Sequence, residues 1–105
     1  MNPKPVKYLG DSEKALKGFI PKELEKFAIS LYYIACGVDP TLKAKAMKGL
    51  GQGVLELIKN GKPAYRCVYV VRDDAIYVLH AFSKTSGGTD KKHEDTIKER
   101  YKQIV

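Results

Sequence analysis

The sequence predicts an α+β domain: a small antiparallel sheet of about four strands, with an N-terminal helical hairpin and a C-terminal helix. Three observations predict it. Apolar residues recur at spacings of three and four between Leu24 and Ala35. From Val54 to Ser83 the pattern changes to short β-favouring runs separated by turn residues, and after Asp90 the helical spacing returns. Helices and strands that segregate along a chain suit helices laid on an antiparallel sheet better than alternating βαβ units.

Each element has its own signals. Val6 to Leu9 can form a short first strand; Pro3 and Pro5 confine it to an edge or to its first residues. Asp11 and Ser12 are N-cap candidates for a short helix to about Lys17, which Gly18 ends. Pro21 suits the first position of a second helix. There Leu24, Phe27, Ala28, Leu31, Ile34 and Ala35 share one face, and Gly37 is a natural stop. Val38 to Gln52 read as a loop or a loop with a short helical turn, made basic by Lys43, Lys45 and Lys48. Val54 to Lys59 are a strand, and Asn60-Gly61 a hairpin turn that Pro63 can lengthen. Ala64 to Val71 and Ala75 to Ser83 are two more strands, joined at Asp73-Asp74 into a meander. Thr89 or Asp90 can cap a last helix that reaches Ile104, with Ile97, Tyr101 and Ile104 on one face.

The 105 residues suffice for one domain, residues 1–105, with one modest core. No run of about 18 apolar residues offers a membrane span, and Met1 to Pro5 lack the apolar segment of a secretory signal. Cys36 and Cys67 sit in apolar surroundings and read as small buried thiols of a cytoplasmic protein rather than a disulfide or metal pair. The net charge is +7, which favours an anionic partner.

The stretch YVLHAFSKTSGGTD, Tyr77 to Asp90, begins as a buried strand and ends in polar and basic groups before Gly87-Gly88. Alternation puts Val78, His80, Phe82 and Lys84 on one face. His80 and Lys84 then stand about 13 Å apart along the strand. Arg66 is the lone charge within AYRCVYVV. A three-residue turn at Arg72 to Asp74 pairs it with His80. A two-residue turn pairs it with Ala81 and sends His80 to the opposite face. Arg66 can also reach Glu56 on the neighbouring strand.

If Arg66, His80 and Lys84 share a face, they suit RNA cleavage. Arg can grip a phosphate with two parallel hydrogen bonds, Lys adds a compact charge, and His can carry a proton near neutral pH. Neither a metal nor another cofactor is needed. Lys45, Lys48, Lys59 and Thr85 are the candidate RNA-binding residues around them. His93 reads as packing or capping, and Tyr65, Tyr69 and Tyr77 as sheet packing rather than base-stacking platforms.

The runs VKYLGDSEKALKGF, GVLELIKNGKPAYRCVYVV and AIYVLHAFSKTSGGTDKKHEDTIKERYKQI together resemble the phage-derived, HigB-like branch of the RelE/ParE toxin superfamily. The resemblance covers essentially the whole chain in order. It implies a toxin of a type II toxin–antitoxin module. RelE- and HigB-type members cut mRNA in the ribosomal decoding site, and ParE-type members poison DNA gyrase. The implied partners are a cognate antitoxin, commonly of helix-turn-helix type, the ribosome and its mRNA. Operator DNA is reached only through the antitoxin, and no membrane is involved. An acidic or neutral antitoxin would suit the basic face.

By resemblance, Arg66 matches the arginine that contacts the scissile phosphate in RelE-type enzymes. Lys84 falls where those enzymes place a second basic residue, and His80 belongs to the L-H-A-F pattern. RelE-type enzymes carry lysines on the strand that here reads Val54-Leu55-Glu56-Leu57-Ile58, which leaves Lys59 and Lys48 as substitutes. The C-terminal tyrosine of RelE-type sites has no clear match, Asp90 falling near it by count and Tyr101 lying well into the helix, and the His-Asp-Tyr-His set of some HigB enzymes is missing from the C-terminus. The expected activity is a ribosome-dependent mRNA endoribonuclease. The alternatives are a gyrase poison without nuclease activity and a non-toxic antitoxin-binding remnant.

Overall fold

The computed structural model describes residues 2–85 and 90–105. The expected break at Gly87-Gly88 and the capping role of Thr89 lie outside the described residues. In chain order the elements are β1 (Val6–Tyr8), α1 (Ser12–Lys17), α2 (Pro21–Ala35), β2 (Lys43–Ala46), β3 (Val54–Lys59), β4 (Ala64–Val71), β5 (Ile76–Lys84) and α3 (Lys91–Tyr101). A 3-10 turn, Lys102–Ile104, extends α3. The strands form one five-stranded sheet in the order β1-β5-β4-β3-β2. β1 runs parallel to β5 and every other pair is antiparallel.

Period-2 alternation divides the sheet into two buried faces. On one, Leu57, Tyr65, Cys67, Tyr69, Ile76, Val78 and Ala81 pack against Leu16 of α1 and Phe27, Leu31, Ile34 and Ala35 of α2. On the other, Val54, Val68, Val70, Leu79 and Phe82 pack against Leu50 and Ile97 of α3. β4 has helices over both faces, which explains its almost unbroken apolar run; only its last residue, Val71, is exposed. Cys67 lies in the first core, where burial pushes its thiol up to about 12, so it stays protonated and inert at neutral pH.

The expected sheet of about four strands has five among the described residues. Lys43–Ala46 reads KAKA and has no β pattern of its own, and all four residues are exposed. It is a strand because Thr41 and Leu42 are tied down beside it. Ser30 of α2, fully buried, shares a 3.0 Å hydrogen bond with the Thr41 hydroxyl and accepts one of 3.0 Å from the Leu42 backbone N–H. The chain leaves that anchor along the free edge of β3, and two lysines then face outward on the new edge, which discourages further pairing.

Asp11 occupies the expected N-cap position of α1 but makes no capping bond. Its carboxylate accepts a 2.6 Å hydrogen bond from Arg100 of α3 instead, which holds it below its ordinary carboxyl range. Asn60-Gly61 does not close a two-residue turn: Lys59 pairs with Tyr65, so the β3–β4 loop takes in Pro63 as well.

One irregularity in the sheet decides the site. Near the β4–β5 turn the register is Val71 with Ile76, Val70 with Tyr77 and Tyr69 with Val78. Then Val68 pairs with His80, so Leu79 has no partner and forms a β-bulge. The extra residue moves His80 and everything after it to the face opposite its expected alternation from Val78. Val78 therefore faces α1 and α2, not the side of His80, Phe82 and Lys84. Arg66 pairs with Phe82, where either unbroken register would have placed His80 or Ala81.

Candidate functional site

Register builds the site as rows across the sheet on the side that α3 covers. One row runs Lys43, Ile58, Arg66, Phe82 and the next Lys45, Glu56, Val68, His80. Ala64 and Lys84 begin a third. Arg66 thus lies diagonally between His80 and Lys84 on the adjacent strand, each about 7–8 Å away by ordinary sheet geometry. The three candidate catalytic residues project to one face.

Arg66 is 9 % exposed. Its Nη1 donates to the Tyr65 carbonyl at 3.0 Å and its Nη2 to Asn60 Oδ1 at 3.4 Å. It does not bond to Glu56. Lys84 is half-buried at the end of β5, and Thr85 is exposed just beyond it. Lys45 and Lys48 line a shallow cleft with Met47, Leu50, Glu56 and Glu94 of α3. Lys59 does not join this group. It pairs with Tyr65, so it alternates to the α2 side, where it lies 3.9 Å from the buried carboxylate of Glu23. Glu56 Oε2 is buried without a hydrogen-bond partner among the described residues.

His80 is 9 % exposed and carries the largest electrostatic perturbation in the site. Burial, and then the neighbouring His93 and Arg100, push its imidazole down from 6.5 to about 4, so it is neutral at physiological pH. Its Nε2 lies 2.8 Å from Nδ1 of His93, and its own Nδ1 is buried without a hydrogen-bond partner among the described residues. His93 in turn stacks on Phe82 with ring centroids 4.0 Å apart and planes 13° from parallel. His80 and Phe82 also stack, at 5.3 Å, so three rings from β5 and α3 form one cluster.

His93 was expected to pack or cap, and it does more: it joins α3 to the candidate catalytic strand. The sequence did hold a signal. His93 precedes Ile97 by four residues and so shares the buried stripe of α3. Tyr101 ends that stripe, its hydroxyl donating to the Gln52 carbonyl at 3.1 Å. Tyr65 and Tyr69 pack in the core beneath α1 and α2, as sheet packing predicts. Tyr77 instead packs at the margin of the second core and donates a 2.7 Å hydrogen bond to Asp74.

The profile of the family described as phage derived protein Gp49-like (DUF891) matches residues 14–102. The chain belongs to this Gp49-like family. Among curated proteins nothing matches. Among solved structures, the Gp49-like chain is similar to the crystal structure of the toxin–antitoxin complex RelBE2 from Mycobacterium tuberculosis. The TM-score is 0.53 at 17 % identity, covering 82 % of this chain and 97 % of that one. The Gp49-like chain thus has the RelE-like fold, with a five-stranded sheet among the described residues and helices toward both ends of the chain. Among the described residues no helix is long and apolar enough to cross a membrane.

Proposed function

We propose that this Gp49-like chain, as one domain over residues 1–105, is the cytoplasmic toxin of a type II toxin–antitoxin module. Its activity is ribosome-dependent cleavage of mRNA, as in HigB-type toxins. One observation carries the nuclease reading: Arg66 stands between His80 and Lys84 on one face of the sheet. The fold likeness to a toxin seen with its antitoxin supports a cognate antitoxin as partner. A helix-turn-helix antitoxin would also carry the contact to operator DNA.

The reaction asks little covalent chemistry of the protein. The 2′-oxygen must lie in line with the phosphorus, the phosphorane charge must be neutralised, and the 5′-oxygen must leave with a proton. Alignment on the ribosome supplies much of the acceleration. Arg66 turns its fork from the Tyr65 carbonyl and the long contact to Asn60 onto the phosphate, and Lys84 adds charge from the end of β5. Lys45, Lys48 and Thr85 hold the flanking backbone, so binding weakens steeply with salt.

The test is ribosome-bound mRNA incubated with purified toxin, with cut ends mapped. Arg66→Ala should lower the rate by about 10²–10³-fold, the scale of one lost oxyanion donor. Its thermal unfolding should stay cooperative. An equally active Arg66→Ala protein removes the assignment. Induction in cells separates the alternatives: DNA-damage signalling with intact mRNA identifies a gyrase poison, and normal growth with a stable antitoxin complex identifies a remnant.

A further inference from the structure

His80 is the wrong side chain to meet the substrate. Both of its ring nitrogens are committed within the fold: Nδ1 is buried without a partner among the described residues, and Nε2 is spent on His93. His93 has the opposite profile. It is half-buried, its ring plane is fixed against Phe82 at 4.0 Å, and its rotation in that plane is fixed by the 2.8 Å hydrogen bond between its Nδ1 and His80 Nε2. Its Nε2 makes no hydrogen bond to a described residue. This is the arrangement of an oriented proton carrier: one imidazole nitrogen anchored by a buried partner and the other left for the reaction.

We propose that His93 is the catalytic general acid of this site and that His80 is its positioning residue. The inference rests on the nuclease reading above. In the step, the 2′-oxygen bonds to phosphorus and its proton passes to solvent water. The P–O5′ bond breaks with its electron pair on the 5′-oxygen, and that oxygen takes the Nε2 proton of the His93 imidazolium. The products are a 2′,3′-cyclic phosphate, a 5′-hydroxyl and neutral His93. His80 accepts the Nδ1–H of His93 at Nε2 throughout, in the manner of a triad's third member but without a charge. Burial keeps His80 neutral, which leaves it an acceptor when His93 is protonated. The bond also holds the first turn of α3 against β5, so the helix that covers the face supplies its acid.

The test uses the whole chain and ribosome-bound mRNA in two forms, one natural and one with sulfur replacing the bridging 5′-oxygen at the cut. A thiolate leaves without protonation, so it needs no acid. His93→Gln should lose about 10²-fold or more on the oxygen substrate and recover to within about tenfold of wild type on the sulfur substrate. Arg66→Ala should be slow on both. His80→Gln, which keeps an acceptor for the His93 N–H, should retain more activity than His80→Leu, and the sulfur substrate should erase that difference. Thermal unfolding of each variant is measured alongside, and His93→Ala is run in parallel. Single-turnover cleavage by wild type should be slower in D2O with the oxygen substrate and not with sulfur. Equal losses on both substrates for both His93 variants, or wild-type rates for either, overturn the proposal. A wild-type protein that cuts neither substrate overturns the nuclease reading beneath it, a distinguishable result.

Discussion

Acidification should weaken the native state through His80 before it touches most carboxylates. The imidazole titrates at about 4 in the folded chain against an ordinary 6.5, so between those values the unfolded chain binds a proton that the native one refuses. Stability from this group is complete above about pH 6.5 and is lost progressively as pH falls toward 4. The full separation corresponds to at most about 3 kcal/mol. Discounting for solvent screening of a partly exposed group brings the working figure to about 1–2 kcal/mol. For a domain of this size that is a fall in Tm of roughly 5–15 °C. The other groups acting on His80 are His93 and Arg100 of α3 and Asp11 before α1. Asp11 lies below its ordinary carboxyl value, so its contribution is lost only at more acid pH. The assay is urea unfolding of wild type and His80→Gln at half-unit steps from pH 7.5 to 4.5. Glutamine does not titrate, so the difference between the curves isolates the histidine. Wild type should lose its stability faster over this range. Parallel curves would refute the coupling between burial of His80 and the α3 contact.

Three further outcomes test the packing. Leu57 is fully buried in the first core, and Leu57→Ala should cost about 2–5 kcal/mol in denaturant unfolding; a cost under about 1 kcal/mol would contradict its placement. Gly51 has φ +135°, and a Cβ there would stand 2.8 Å from the Tyr101 ring. Gly51→Ala should therefore destabilise by about 1–3 kcal/mol, and adding Tyr101→Ala should relieve the clash but not the backbone strain. Arg100 donates to the Leu79 carbonyl at 2.9 Å and to Asp11 at 2.6 Å. Arg100→Ala should cost about 1–3 kcal/mol by leaving the bulge carbonyl unmatched. NMR titration should show the Asp11 carboxyl returning upward toward its ordinary value, and an unmoved Asp11 would place the ion pair outside the solution structure.

Most elements were legible because each carries its own periodicity. β3 and β4 match their expected ranges, and α2 begins at Pro21 and ends before Gly37. What escaped reading depends on partners distant in sequence. KAKA becomes β2 only because Ser30 and β3 hold it there. The bulge leaves no mark in Val78-Leu79-His80, where neither glycine nor proline signals it, and so the company of Arg66 could not be chosen from the strand alone. Lys59 looked available to the site until pairing with Tyr65 sent it toward Glu23. His93 sat on a recognisable helix stripe, but its link to His80 requires α3 to cross back over β5.

The bulge, rather than any one side chain, makes the candidate site. With the turn's register carried through unbroken, Arg66 would face Ala81, and His80 would enter the apolar core under α1 and α2. Inserting Leu79 exchanges those fates, and the exchange is held from outside the site. The Val78 carbonyl accepts from the Leu9 N–H at 3.0 Å and the Ser12 hydroxyl at 3.1 Å, and the Leu79 carbonyl from Arg100. The Arg100 bond satisfies the carbonyl of the unpaired Leu79, while the bonds from Leu9 and Ser12 fix Val78 on the β1 side, just before the bulge. Ser12 is fully buried beside this strand, and Arg100 reaches across from α3 to the bulge. Changes at Ser12 or Arg100 should therefore alter chemistry at Arg66 and His80 through strand register, without any contact with substrate.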